Sequence, residues 1–374
     1  MSWKEYSLDQ LGYVSRGKSR HRPRDAEHLY GGQYPFIQTG DVKHSNLYIT
    51  KYSQTYSEAG LAQSKLWPAG TLCITIAANI ADTAILAFDA CFPDSIIGFI
   101  PDDKKADARF IKYLFDAMLQ KKYKNFTQGA AQDNLSQAKL LSIKIPVPSI
   151  QEQKGIADVL STYDDLIENN DRRIALLEES ARLLFKEWFV YFRFPGHEHV
   201  KIIDGVPEGW EKISLGEITK LEYGKSLKAD DRIPGTYPVY GSSGIVGTHE
   251  KALVKGPGII VGRKGNVGSV YWSDTDFYPI DTVYYICSED SSYYLYYALL
   301  NTQFINTDVA VPGLNRDFAH SRVIMLPSSN ILSHFNDFIG PIREKISNLL
   351  KQNEFLSQTR DLLLPRLMKG EIQL

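Results

Sequence analysis

The chain of 374 residues is too long for one ordinary domain and suits two, and with 43% hydrophobic and 23% charged residues it reads as globular, not disordered or fibrous. Its three cysteines, Cys73, Cys91 and Cys287, form no Cys-x-x-Cys pair, and an odd, scattered set predicts a reducing compartment; with no apolar run of the ~18 residues a membrane span needs and no apolar core in the first residues, the expected location is cytoplasmic, with no membrane partner. A formal net charge of −2 does not favour nucleic acid as a partner for the chain as a whole, so any basic surface must be local.

The chain opens with Trp3-Lys-Glu-Tyr-Ser-Leu8, and its second half opens with Trp210-Glu-Lys-Ile-Ser-Leu215. The register then holds without gaps at an offset of 207: Ser7 meets Ser214, Gly17 meets Gly224, Lys18 meets Lys225 and Ser19 meets Ser226, while Tyr34-Pro35 answers Tyr237-Pro238 a little further on. Such self-similarity marks a duplication. Past a variable interior the register returns at an offset of 181, where Tyr113–Leu119 matches Tyr294–Leu300, and Asn134, Ile143 and Pro146 meet Asn315, Ile324 and Pro327. Two copies of one frame with divergent interiors suit a reader of two different sequences; an old duplication without that division of labour is the plainer alternative.

Within the first copy, Gly70–Ile76 reads as a strand after a Pro/Gly turn and residues 108–120 as a short helix. The second copy offers strands at Gly258–Val261 and Phe277–Ile286 and a helix over 292–302, so both domains are mixed α and β. Pro148-Ser149-Ile-Gln-Glu152 predicts a helix start, with Ser149 as N-cap and Glu152 reaching back in a capping box. From there Ile156, Leu160, Tyr163, Ile167, Asn170, Ile174, Leu177, Ala181, Leu184 and Trp188 follow alternating steps of four and three, a heptad seam in which Asn170 would set register; the helix should end before Pro195-Gly196. The second copy ends likewise, through Phe335, Ile339, Ile342, Ile346, Leu349, Asn353, Leu356, Arg360, Leu363 and Leu367, with Pro341 marking a kink or a helix start. Two such helices in one chain bury each other's stripe, whereas the alternative lays each on its own domain. The expected fold is α+β, with domains at 1–148 and 195–328 and long helices at 149–194 and 329–374.

That order of domain, long helix, domain, long helix resembles the specificity subunits of type I restriction-modification systems. Gly209–Ile218, Ile145–Gln153, Ile167-Glu-Asn-Asn170, Leu183–Phe192 and Pro365–Ile372 match that family in wording, and Tyr237–Gly244 with Gly262-Arg-Lys-Gly265 look like recurring elements of its recognition domains. The resemblance covers essentially the whole chain. It implies two target-recognition domains, each reading one half of a bipartite site on double-stranded DNA. It further implies that the helices pack antiparallel, relate the repeats by a pseudo-two-fold axis, act as a ruler for the unread spacer and dock two modification (methyltransferase) subunits. Restriction subunits would join that complex. S-adenosylmethionine, ATP and Mg would belong to those partners, leaving this chain without cofactor, catalytic residue or metal.

The basic residues cluster where such a role needs them. Arg16, Lys18, Arg20, Arg22 and Arg24 place five cations in nine residues, and Lys124, Gln132 and Asn134 follow the short helix. In the second copy Lys225, Lys228, Arg263 and Lys264 gather around Gly-rich turns, with Tyr240, Ser242, Ser243, Asn266, Asn315 and Arg316 as polar companions. Cations hold phosphates, while Arg, Asn and Gln also pair with base edges; the plain alternative for each is a solvated surface charge. The position answering Arg263-Lys264 reads Ile76-Ala77, so these loops cannot act alike. Other motifs carry less. Gly12–Ser19 matches a phosphate-binding loop in letters, but His21-Arg-Pro23 starts no helix comfortably. Asp94, Asp102 and Lys104 would suit a metal-dependent nuclease, against which Asp94 at a strand start and a solvated turn is the simpler account. His197 and His199 read as exposed linker residues. A protein-binding scaffold is the third possibility.

Overall fold

The computed structural model describes residues 3–77, 80–124, 135–304 and 313–372, with 119–124 as backbone. The chain divides into two compact units: Met1–Asn170 with Gln352–Leu374, and Asp171–Lys351. Each unit contains a sheet-bearing domain and a portion of both long helices, Ile150–Phe189 and Ser329–Met368, of 40 residues each.

In unit one the main sheet runs in the order Gly12–Arg16, Ile96–Pro101, Leu72–Thr75, Thr83–Leu86, Tyr48–Ile49. Leu72–Thr75 is buried at every position, as a central strand covered on both faces must be, which explains its run of Leu72, Cys73 and Ile74. In unit two the corresponding sheet runs Glu222–Tyr223, Val283–Ile286, Gly258–Gly262, Val270–Ser273. The registers agree residue by residue. Arg16 pairs with Ile97 and Ile97 with Ile74, while Tyr223 pairs with Tyr284 and Tyr284 with Val261. Both domains also close their termini alike: Lys4–Tyr6 pairs with Ile145–Val147, and Glu211–Ser214 with Val323–Leu326. Ser7 and Ser214 then open short helices through capping boxes with Gln10 and Glu217.

Four expectations are corrected by this arrangement. Tyr6 lies opposite Ile145 and Ile213 opposite Ile324, so Ile324 answers Ile145 and Pro327 answers Pro148, not Ile143 and Pro146. Likewise the N-cap of the second copy's short helix, Asn315, answers the N-cap Ser136 rather than Asn134. The stretch Phe277–Ile286 is not one strand: Tyr278–Pro279 pairs in parallel with Val239 and Tyr240, and Val283–Ile286 pairs with Gly258–Gly262 in a different sheet. Pro279 lacks the N–H that a continuous ladder would need. The capping box at Ser149 is half formed: its hydroxyl accepts from Glu152 N at 3.3 Å, but the Glu152 carboxylate accepts instead from the Trp3 indole at 3.2 Å, tying the first strand to the helix start. Finally, of the two alternatives at Pro341, a kink or a helix start, the helix start is overturned: Pro341 sits exposed inside Ser329–Met368, where its missing N–H leaves a carbonyl one turn back without its helix partner.

Within each unit the two long helices run antiparallel. In unit one Asn170 Nδ2 donates to Asn353 Oδ1 at 2.9 Å, and Arg360 pairs with Asp164, which also accepts from Tyr113 OH. Ile156, Leu160, Ile167 and Asn170 are buried, and Leu356 and Leu363 half-buried beside Asn353. In unit two Phe185 and Phe189 meet Phe335 at ring distances of 6.2 and 4.9 Å. There Ile346 and Leu349 are buried and Ile174, Leu177, Leu184 and Ile342 half-buried. Asp164 was missed in the heptad pattern because a carboxylate reads as a surface residue until its arginine, almost two hundred positions away, is known. Among the described residues no helix is long and apolar enough to cross a membrane.

Candidate nucleic-acid interface

A glycine-lysine pair is held the same way in both units. Gly17 N donates to Ile96 O at 2.9 Å and Lys18 N to Phe92 O at 3.1 Å; Gly224 N donates to Val283 O at 3.2 Å and Lys225 N to Pro279 O at 3.0 Å. A Cβ at Gly17 would stand 2.3 Å from Phe92 O, and at Gly224 2.1 Å from Ile280 O, so only glycine fits against these turns. Each unit thereby presents one exposed lysine, Lys18 or Lys225, at the same point of its frame.

What surrounds that point differs. In unit one Arg16 Nε donates to Asp94 O at 2.8 Å, and Arg24 lies 2.9 Å from the Asp94 carboxylate. Arg22 Nη1 donates to the carbonyls of Ser19 and His21, both at 2.8 Å, while Gln63 Oε1 accepts from Arg20 N and His21 N. The basic loop is thus braced through its backbone, and Arg16, Lys18, Arg20, Arg22 and Arg24 all remain exposed. Beside it the sequence reading missed Tyr13 and Lys65. Lys65 Nζ donates to Tyr13 OH at 3.2 Å and lies 3.7 Å from the Trp67 ring centroid. Hydrogen bonds from Ser15 and Lys65 lower the Tyr13 phenol below its usual range. The two-residue alternation of Tyr13 and Ser15 on one strand face was the available signal.

In unit two Thr282 O accepts from Arg263 N and Lys264 N at 2.9 and 3.1 Å, and Gly265 and Gly268 take left-handed φ of 76°. That turn brings Asn266 N to Ser242 Oγ at 3.4 Å, and Ser269 Oγ donates to Ser242 O at 2.7 Å. Arg263 and Arg316 converge on Tyr223, at 5.0 and 5.1 Å from its ring centroid. Beneath them Tyr284 donates to Leu314 O at 2.9 Å, its phenol pushed up to about 12 first of all by burial. Two guanidiniums on one ring repel each other, and an anion between them relieves that repulsion. Tyr223 escaped the sequence reading because its role depends on both arginines.

Residues 1–179 and 207–357 match the family described as the type I restriction modification DNA specificity domain. The chain belongs to the type I restriction-modification specificity family. It is 27% identical to the MjaIX specificity subunit of Methanocaldococcus jannaschii over 99% of this chain and 94% of that one. To the HindI specificity subunit of Haemophilus influenzae it is 24% identical, over 99% of each. Its fold is that of the solved S subunit from M. genitalium, with a TM-score of 0.58 at 18% identity, covering 98% of this chain and 96% of that one. A specificity subunit is the DNA-recognition component of its system, not the catalytic one.

The remaining candidates of this specificity-family chain fall into three groups. Lys228, Ser243, Lys264 and Asn266 are exposed on unit two. Tyr240 is not available: it is 6% exposed, its ring lies 5.8 Å from that of Phe277, and it answers the fully buried Ile37, so it belongs to the core. Asn315 spends its side-chain oxygen capping the Arg316–His320 helix, accepting from Asp317 N and Phe318 N at 2.8 and 3.1 Å. Gln132, Asn134 and the Lys124 side chain lie outside the described residues. As for the motifs set aside, Gly12–Arg16 is a strand and not a phosphate loop. Asp94 is engaged by Arg24, while Asp102 pairs with Lys105 at 3.0 Å. Among the described residues no group of three His, Cys, Asp or Glu gathers as metal ligands would.

Proposed function

We infer that each unit reads one half of a bipartite DNA site. The observation that carries this reading is the shared frame with unlike readers. Two sheets of matching order and register present the same glycine-lysine turn, yet one surrounds it with Tyr13, Arg16, Arg24 and Lys65 and the other with Tyr223, Arg263 and Arg316. Backbone pinning common to the two units sets the lysine against phosphate, and the divergent arginines face base edges.

The long helices fix the spacing of the half-sites. A 40-residue helix is about 60 Å long, which accommodates half-sites one turn of duplex, ~34 Å, apart. They also dock two modification subunits, to which restriction subunits attach. Apolar side chains left in solvent support that docking: Leu176 is 69% exposed, Phe355 68% and Leu362 71%, on helices whose other faces are buried. S-adenosylmethionine and ATP bind those partners, and the chain works in the cytoplasm, where the DNA is.

The test is to co-express the chain with its neighbouring modification subunit and sequence the methylated positions of host DNA. The reading expects a two-part motif with a fixed unread spacer that vanishes without the chain. Chain-independent methylation, with both proteins produced and associated, would refute it.

A further inference from the structure

The matching registers expose an exchange between the units. With Ile97 answering Tyr284, Arg16 answers Tyr223, Ile76 answers Arg263, and Asp94 answers Asp281. In unit one Arg16 Nε donates to Asp94 O at 2.8 Å; in unit two Arg263 Nη1 donates to Asp281 O at 2.9 Å. One guanidinium therefore stands at the same carbonyl in both units, although Arg16 ends the first strand and Arg263 directly follows the third. Those two strands flank the same central strand, one on each side. Where the arginine has left the first strand, Tyr223 takes its place and supports Arg263 from beneath. Where it has left the third, Ile76 is buried. Packing alone does not demand this, since a half-buried loop carbonyl is equally well served by water.

The hydrogen bond to the carbonyl anchors each guanidinium through one of its five N–H groups and leaves a two-nitrogen donor edge that this bond does not use: the Nη1/Nη2 end of Arg16 and the Nε/Nη2 edge of Arg263. A paired donor of this kind matches O6 and N7 of guanine, the base that offers two acceptors in the major groove. We propose that Arg16 and Arg263 are the equivalent base readers of the two units, each planted on the Asp94 or Asp281 carbonyl and each contacting a guanine of its own half-site. This rests on the half-site reading above.

The experiment maps methylated motifs from cells carrying the modification subunit with wild-type chain, R16Q or R263Q, with melting temperature and subunit association measured alongside. Wild type is expected to require a G·C pair in each half. R16Q lowers discrimination for that guanine on the order of ten- to a hundred-fold in one half, with adenine gaining because glutamine pairs with it, and R263Q does so in the other. A phosphate contact would instead weaken methylation of all sites with the motif intact, and a purely structural role would lower melting temperature with the motif intact; either overturns the proposal. In a second measurement the wild-type complex binds duplexes carrying 7-deazaguanine at the required guanine of each half, with about ten-fold weaker binding expected. Unchanged binding overturns the proposal whether or not the variants fold. A wild-type chain that yields no two-part motif fails the half-site reading itself, and a two-part motif lacking G·C in one half fails only the assignment of that half's arginine.

Discussion

At the scale of single residues, the glycine-lysine turn is the most constrained feature of both domains. Gly17→Ala or Gly224→Ala forces a Cβ into a backbone carbonyl and should lower stability by about 1–3 kcal/mol in the unit concerned, read as a lower melting temperature. His320 supplies a pH dependence. Its Nε2 accepts from Leu221 N at 3.0 Å, and burial, with Arg316 nearby, lowers its pKa below the usual 6.5. The folded chain thus prefers neutral His320, whose contribution is complete above pH 6.5 and is lost as pH falls through the depressed value. Unit two should therefore weaken on acidification below that point, and His320→Gln should flatten this part of the stability–pH curve; an unchanged curve would assign the sensitivity elsewhere. The glycines and cations were legible in the sequence because their chemistry is local. Tyr13, Lys65 and Tyr223 were not, because an exposed tyrosine gains meaning only from the cation that folding sets over it.

At the scale of elements, heptad spacing revealed both long helices, and apolar stretches after Pro/Gly turns revealed the central strands. It could not reveal that Tyr278–Pro279 and Val283–Ile286 belong to different sheets, nor that strand register sets Ile145 opposite the role of Ile324. Those facts depend on hydrogen-bond partners distant in sequence. The polar residues of the seam give two sharp expectations. Arg360→Leu leaves the Asp164 carboxylate, 2% exposed, without its cation and should cost about 3–5 kcal/mol by denaturant unfolding. Asn353→Leu alone strands the buried Asn170 amide and should cost about 1–3 kcal/mol, whereas the double replacement Asn170→Leu with Asn353→Leu should recover most of that loss. Additive losses in the double variant would show that the two asparagines do not act as a pair.

At the scale of the whole molecule, the duplication and the order of domains and helices were readable from the sequence, and with them the family. Which arginine stands at the shared loop carbonyl was not, since one position of a common frame carries Arg16 in one copy and Tyr223 in the other. The helices give a further expectation under the reading proposed above. Deleting one heptad from each, within 171–180 and 342–351, shortens the helical path by about 10 Å and should reduce the unread spacer by roughly three base pairs, with both half-site sequences kept. The central claim is that the two units read independently. Its most direct test is the methylated motif produced when the chain carrying Arg263→Ala and Lys264→Ala is co-expressed with its modification subunit. The account predicts that one half of the motif relaxes while the other half and the spacer stay as in wild type. A change in both halves, or in the spacer, would contradict it.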